Sequence, residues 1–173
     1  MVQLAYNKDP AVAIQGQLAE PMAPMRIISR LVETAAIAPG LAVSAGTDAT
    51  KQVVLSADAN SVVGIAVLQD YIENKPTGVV NANTGEIETT ATYPVGKQLG
   101  VMCEGTVWCL VAAAGLSSPV IGEELDATAA GHFIRSAGAN TSAYKCFLDD
   151  VSKTGNLASG DLIKVRIQGP QGA

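Results

Sequence analysis

Aromatic side chains are scarce in this sequence, 4% of its residues, which leaves little to stack on sugars or bases. Charged residues are also few, at 16% against the roughly 25% usual in soluble domains. So little charge solvates little surface, and burial of part of that surface in an oligomer or a partner is expected. Lys and Arg total 11 against 16 Asp and Glu, for a net charge of −5. There is no basic run, and Arg26 and Arg30 are the nearest thing to a basic pair. Nucleic acid is therefore not expected as a direct partner, because displacing counterions from phosphates requires clustered cations. The longest apolar run, residues 107–116, is half of the roughly 20 residues a spanning helix requires, so no membrane is expected. No basic segment followed by an apolar stretch opens the chain, so no signal peptide is expected either.

Catalytic and metal-ligating material is equally thin. The single histidine, His132, would have to serve any Ser/His or Cys/His arrangement, and there is no Gly-x-Ser-x-Gly elbow. Cys103, Cys109 and Cys146 form an odd set without C-x-x-C spacing, which supports neither a zinc site nor a disulfide framework. They are expected to be free and buried, although Cys103 and Cys109 could face each other across a bend. Carboxylates gather at Glu123-Glu124-x-Asp126 and at Asp149-Asp150, but without the spacing of a calcium loop, and are expected to be solvated turns. Trp108 reads most simply as a core residue. Neither catalytic residues, nor a cofactor, nor a metal is expected.

What the chain does contain is Val, Ile, Leu, Ala and Thr in short runs, punctuated by Gly, Asn, Asp and Ser. A length of 173 residues suits one domain with a real core. Runs at 41–44, 53–56, 62–69, 87–93, 100–103, 106–112, 133–136, 143–148 and 162–167 read as strands. In the last of these, Ile163, Val165 and Ile167 alternate with Lys164 and Arg166, predicting one buried and one solvated face. Glu104-Gly105 between two such runs reads as the turn or bulge of a hairpin. Residues 1–30 differ: Pro10, Pro21 and Pro24 exclude a regular helix, while Leu4, Val12, Ile14 and Leu18 are too apolar for a solvated tail. They fit either an irregular layer on their own domain or an extended arm over another subunit. Residues 26–36 are undecided between helix and strand. Residues 70–86 form a long polar insertion of the kind that binds or moves.

The chain also echoes itself. Ser56-Ala57-Asp58-Ala59-Asn60-Ser61 recurs as Ser136-Ala137-Gly138-Ala139-Asn140-Thr141, an offset of 80 that also pairs Val53-Val54 with Phe133-Ile134 and Leu68 with Leu148. At an offset of 82, Gly40-x-x-Val43-x-Ala45 matches Gly122-x-x-Leu125-x-Ala127. If structural, each copy is a Gly-led strand, a hairpin and a returning strand, and two such meanders make a small barrel or sandwich. The expected organisation is an all-β fold: an extended N-terminal arm and connector over 1–36 and a β-barrel-like body over 37–173, with possible repeats at 40–70 and 122–150.

Several segments carry a resemblance. Ala5-Tyr6-Asn7-x-Asp9-Pro10-Ala11-Val12-Ala13-x-x-Gly16-Gln17-Leu18-Ala19-Glu20 is followed by Pro39-Gly40-x-Ala42-Val43 and Val62-Val63-Gly64-Ile65-Ala66-Val67. Further on come Tyr93-Pro94-Val95-Gly96 and Glu104-Gly105-Thr106-Val107-Trp108-Cys109. Together they resemble the structural cement, or capsid decoration, proteins of tailed phages. The resemblance implies a small β-barrel-like body with an N-terminal arm, bound to the major capsid protein on the outer face of the virion capsid and stabilising the expanded lattice. It would be made in the host cytoplasm. The resemblance also implies a homo-oligomer, with a trimer favoured and a dimer as the alternative. The capsid-contact candidates are Tyr6, Pro10, Val12, Gln17 and Leu18, with the loop 76–85. The alternative is a phage tail or host-surface-binding β-domain, which surface aromatics would favour, and few are available.

Overall fold

The computed structural model describes residues 15–20, 24–68, 92–138, 141–152 and 154–170. Tyr6, Pro10, Val12, the loop 76–85 and most of the expected strand 87–93 lie outside the described residues.

The fold is all-β, with nine strands among the described residues: β1 (Arg26–Val32), β2 (Ala42–Ala45), β3 (Gln52–Leu55), β4 (Val62–Val67), β5 (Gln98–Leu110), β6 (Glu124–Ala127), β7 (Phe133–Arg135), β8 (Lys145–Val151) and β9 (Leu162–Gln168). Residues 26–36, undecided from periodicity, supply the strand β1, which is part of the barrel wall. The two runs expected on either side of Glu104-Gly105 are one 13-residue strand. No hairpin turn forms there. Instead the pairing with β1 shifts register between Arg26 and Ile27, opposite Glu104 and Met102, and Gly105 next to this bulge has φ 130. At that point β5 passes from one group of strands to another.

The first group is a closed five-stranded barrel. β1 runs antiparallel to the N-terminal half of β5, which pairs in turn with β4, β4 with β2, and β2 with β3. β3 closes the ring by pairing parallel with β1 at Leu31–Gln52 and Val32–Val53. The second group begins on the C-terminal half of β5 and runs β5-β9-β8-β6-β7, antiparallel throughout. Its last strand returns to the first through a parallel bridge between Val111 and Phe133.

The two groups share one pattern of backbone bonds. Ala66 N donates to Leu41 O at 2.9 Å and Gly40 N to Ala66 O at 2.6 Å; Leu148 N donates to Glu123 O at 2.9 Å and Gly122 N to Leu148 O at 2.7 Å. Val32 is clamped between Lys97 O (3.0 Å) and Gly96 N (2.8 Å), and Val111 between Asp161 O (2.9 Å) and Gly160 N (3.1 Å). Reciprocal bonds join Ile37 with Tyr93 in one group and Leu116 with Leu157 in the other. The parallel closures use Val53 and Phe133, the residues that the sequence echo equates. The turns that follow them touch: Asn60 Oδ1 accepts from Thr141 N at 2.8 Å, and Ser142 Oγ donates to Val62 O at 2.9 Å.

Each group encloses its own core. Val32, Val43, Val53, Ala66, Leu99 and Val101 fill the barrel. Val107, Cys109, Leu125, Phe133, Leu148, Ile163, Val165 and Ile167 fill the second group. The buried face of β9 is as expected, with Ile163, Val165 and Ile167 at 0% exposure, and Arg166 is exposed; Lys164, expected outside, is largely buried beneath its partners Glu20 and Asp149. Ala42, Val62, Ile65, Val67 and Met102, on the far face of the barrel wall, belong to the second core. β4 is therefore buried on both faces, which is why its sequence reads as an unbroken apolar run.

Candidate contact surface

Carboxylates that could have carried chemistry are spent on structure. Glu123 accepts from Arg135 Nε at 2.7 Å, Glu124 pairs with Lys145 at 2.9 Å, and Asp126 Oδ2 accepts from Ala137 N at 3.1 Å. Asp149 pairs with Lys164 at 2.9 Å and lies 3.8 Å from Arg166. The backbone oxygen of His132 closes a turn by accepting from Thr128 N and Oγ1. Among the described residues no His, Cys, Asp and Glu group has the arrangement to hold a metal ion.

The three cysteines are free and buried, as expected. Burial pushes the Cys103 thiol up, pushes Cys109 well up with help from neighbouring Cys146, and pushes Cys146, beside Asp126 and Glu124, up to about 12. All three are inert thiols at neutral pH. Trp108 is not a core residue: on β5 it sits between the fully buried Val107 and Cys109 and is itself only half-buried, on the outer face. Strand alternation puts a tryptophan outside whenever its neighbours are needed inside.

The outer side of β5 is covered by the chain's own N-terminal segment. Residues 15–20 run antiparallel to it: Gly16 N donates to Trp108 O at 2.7 Å, Trp108 N to Gln17 O at 3.0 Å and Ala19 N to Thr106 O at 3.0 Å. Leu18 bridges to Val107 and packs against the second core, while the Gln17 side chain is exposed. Glu20 anchors the end of the segment on Lys164, which Asp149 also holds. Burial works to lower the Lys164 pKa, but the bonds from Glu20 and Asp149 outweigh it and hold the ammonium above its ordinary value. The beginning of the segment lies over Pro39-Gly40: a Cβ on Gly40 (φ 75) would come within 2.7 Å of Gln15 Cγ and 2.8 Å of Gly16 N.

Of the contact candidates, then, Leu18 is engaged with its own body and Gln17 faces outward. Sequence reasoning missed other exposed groups. Ile27 and Leu31 on β1 are 37% and 38% exposed, and Val95 is 53% exposed in the turn bonded to the end of β1. Val120 and Ile121, in the turn before β6, are 61% and 57% exposed. The alternation of Ile28 and Val32 against Ile27 and Leu31 was the one available signal for the first pair.

Comparison with known proteins matches residues 2–168 to the family model of the phage structural cement proteins. Among solved structures, a chain from the capsid of the Myoviridae phage XM1 is similar in fold, with a TM-score of 0.58 at 16% identity. The similarity covers 95% of this chain and 96% of that one. No curated protein matches. With the family model spanning nearly the whole chain, this protein belongs to the phage structural cement proteins, a family of structural components and not of enzymes.

Proposed function

We propose that this protein binds the outer surface of the phage head, holds neighbouring major capsid proteins together, and so stabilises the expanded lattice. The observation that carries the reading is the family match over residues 2–168, on a body whose carboxylates Glu123, Glu124 and Asp149 are held in ion pairs with Arg135, Lys145 and Lys164. Such a body offers contact area and no reaction. A ligand that binds only the expanded shell stabilises it by about 2.7 kcal/mol per site at a hundredfold excess over Kd. Repetition over the lattice multiplies that term against the pressure of packaged DNA.

In this reading the N-terminal arm, with Tyr6, Pro10 and Val12, reaches the shell from the anchor that Leu18 makes on the second core, and the Gln17 side chain faces the same partner. Self-association is part of the proposal, supported by the low charge content and the exposed apolar groups; the resemblance favours a trimer at local three-fold axes, and a dimer at two-fold axes is its rival. Two measurements test it. Purified protein mixed with expanded heads should add density outside the shell in electron micrographs; bare shells would refute the reading. Light scattering after sizing should give a trimer, and a monomer or dimer would remove that part.

A further inference from the structure

The two groups of strands match bond for bond, but their corresponding edges are not equally covered. Equating Val32 with Val111 sets Ile28 opposite Val107 and Ser29 opposite Trp108, since each pair makes the same contacts with the next strand: Ile28 with Val101, Val107 with Val165. The edge of β5 at Thr106 and Trp108 is filled by residues 15–20. Among the described residues, the corresponding edge of β1, at Ile27 and Ser29, has no such neighbour. β1 pairs with β3 only at Leu31 and Val32, so among the described residues Arg26–Arg30 are paired with β5 alone. Leu31 N donates toward β3, which places the N–H groups of Ile27 and Ser29 on that same open side. The consequences of the missing neighbour are visible. Val107, with Leu18 beside it, is fully buried, whereas its counterpart Ile28 is only partly so. A concavity lined by Ser29, Arg30, Leu31, Thr50, Lys51 and Gln98 continues the gap. The Arg30 guanidinium folds back to donate to the Ser29 carbonyl at 3.2 Å, occupying an acceptor that a neighbouring strand would use.

We infer that the β1 edge is a strand-addition site for an extended segment of the shell protein. The inference rests on the cement reading above. The internal template fixes the chemistry of the incoming segment: extended, antiparallel to β1 and donating to and accepting from Ile27 and Ser29. It would carry an apolar side chain toward Ile28, as Leu18 does toward Val107. Arg30 and Lys51 line the slot on a chain of net charge −5, so a carboxylate on the segment is favoured there.

The test places a photo-crosslinking residue at Ser29 and, separately, makes Ser29→Pro and Ile27→Lys. Proline at an edge position deletes the outward N–H without breaking the pairing with β5. Both variants should keep the wild-type melting temperature and lose head binding by about tenfold or more, the effect of one backbone bond and its desolvated partner. The crosslink on heads should map to the shell protein. Wild-type binding by both variants would overturn the strand-addition site and leave the cement reading intact. Failure of the wild type to bind heads would overturn both. Crosslinks to a second copy, with Ser29→Pro turning an oligomer into a monomer, would assign the edge to self-association and overturn the shell-protein occupant. Crosslinks within one chain in free monomer would do the same in favour of its own N-terminal residues.

Discussion

The barrel and the second group of strands share connectivity, closure and turn bonds, yet differ in three places. Between its fourth and fifth strands the barrel has 30 connecting residues, 68–97, where the second group crosses from β8 to β9 through ten, 152–161. The second group has its outer edge filled by residues 15–20, where among the described residues nothing pairs with the outer edge of β1 at Arg26–Arg30. The turn Pro39-Gly40 lies beneath the N-terminal segment, while its counterpart Ile121-Gly122 is bare, with open space where a Cβ on Gly122 would be. A pattern maintained twice by hydrogen bonds marks what the fold requires. The positions where the two copies diverge are free of that requirement, so contact surfaces are best sought there.

The largest expected effect comes from the two parallel closures. Phe133 is fully buried and closes the second group through a single bridge; truncation to alanine should cost about 3–5 kcal/mol by chemical denaturation. Val53, also buried at the equivalent position, is smaller and its ring has a two-residue closure. Val53→Ala should cost about 2 kcal/mol. Equal losses would mean that the closures are not equivalent in packing and would weaken the comparison.

A smaller contrast separates the filled edge from the open one. Leu18→Ala removes a side chain packed on the second core and should cost about 1–2 kcal/mol, whereas Ile27→Ala, on the uncovered edge, should stay within about 0.5 kcal/mol in the free protein. Gly40→Ala and Gly122→Ala sharpen the same point. Both glycines have positive φ, 75 and 88, so each substitution carries a backbone cost of about 1 kcal/mol. Only Gly40→Ala also collides with Gln15 and Gly16. It should therefore cost more and expose residues 15–20 to limited proteolysis, a readout that Gly122→Ala should not change.

Much of this was legible in the sequence. The two-residue alternation of Ile163, Val165 and Ile167 is a local signal and predicted the buried face of β9, whereas the cover that Glu20 and Asp149 place over Lys164 is non-local. The 80-residue echo equated Val53 with Phe133, the two closure residues. β6, absent as an apolar run because Glu124-Leu125-Asp126-Ala127 is half acidic, was visible only through the glycine-led match to residues 40–45. The fate of Glu104-Gly105 was not legible, because a glycine between two strand-like runs is compatible with a turn or a bulge and only the partner strands decide. Nor was Trp108, since its outward position follows from which neighbours the second core claims. The open edge of β1 is a non-local property. It depends on where β3 stops pairing, and no residue of β1 encodes that.

The smallest effect concerns the anchor of the filled edge at high pH. Lys164 in the folded protein holds its proton above its ordinary value through Glu20 and Asp149, despite the opposing effect of burial. A folded-state pKa raised above the unfolded value means that the native state binds more protons once pH exceeds the unfolded pKa. The contribution is therefore complete below about pH 10 and fades as pH rises through the folded value. Lysine loss of charge releases Glu20 and loosens the adjoining bond from Ala19 N to Thr106 O, while the backbone bonds at Gly16 and Gln17 remain. Amide exchange at Ala19 and Glu20 should thus accelerate above about pH 10 relative to Gly16, after correction for intrinsic exchange. In Glu20→Gln the excess acceleration should be absent, because the charge that Lys164 answers has gone. Among the described residues the counterpart edge on β1 has no such anchor, and Ser29 should show no step over the same range. An equal step at Ser29 would mean that alkaline loosening is global, with the buried thiols as its source: their raised values make folding weaken over the same rise in pH. Cys146→Ala would then remove the step at both edges, and its persistence at residues 19 and 20 alone would return the effect to Lys164.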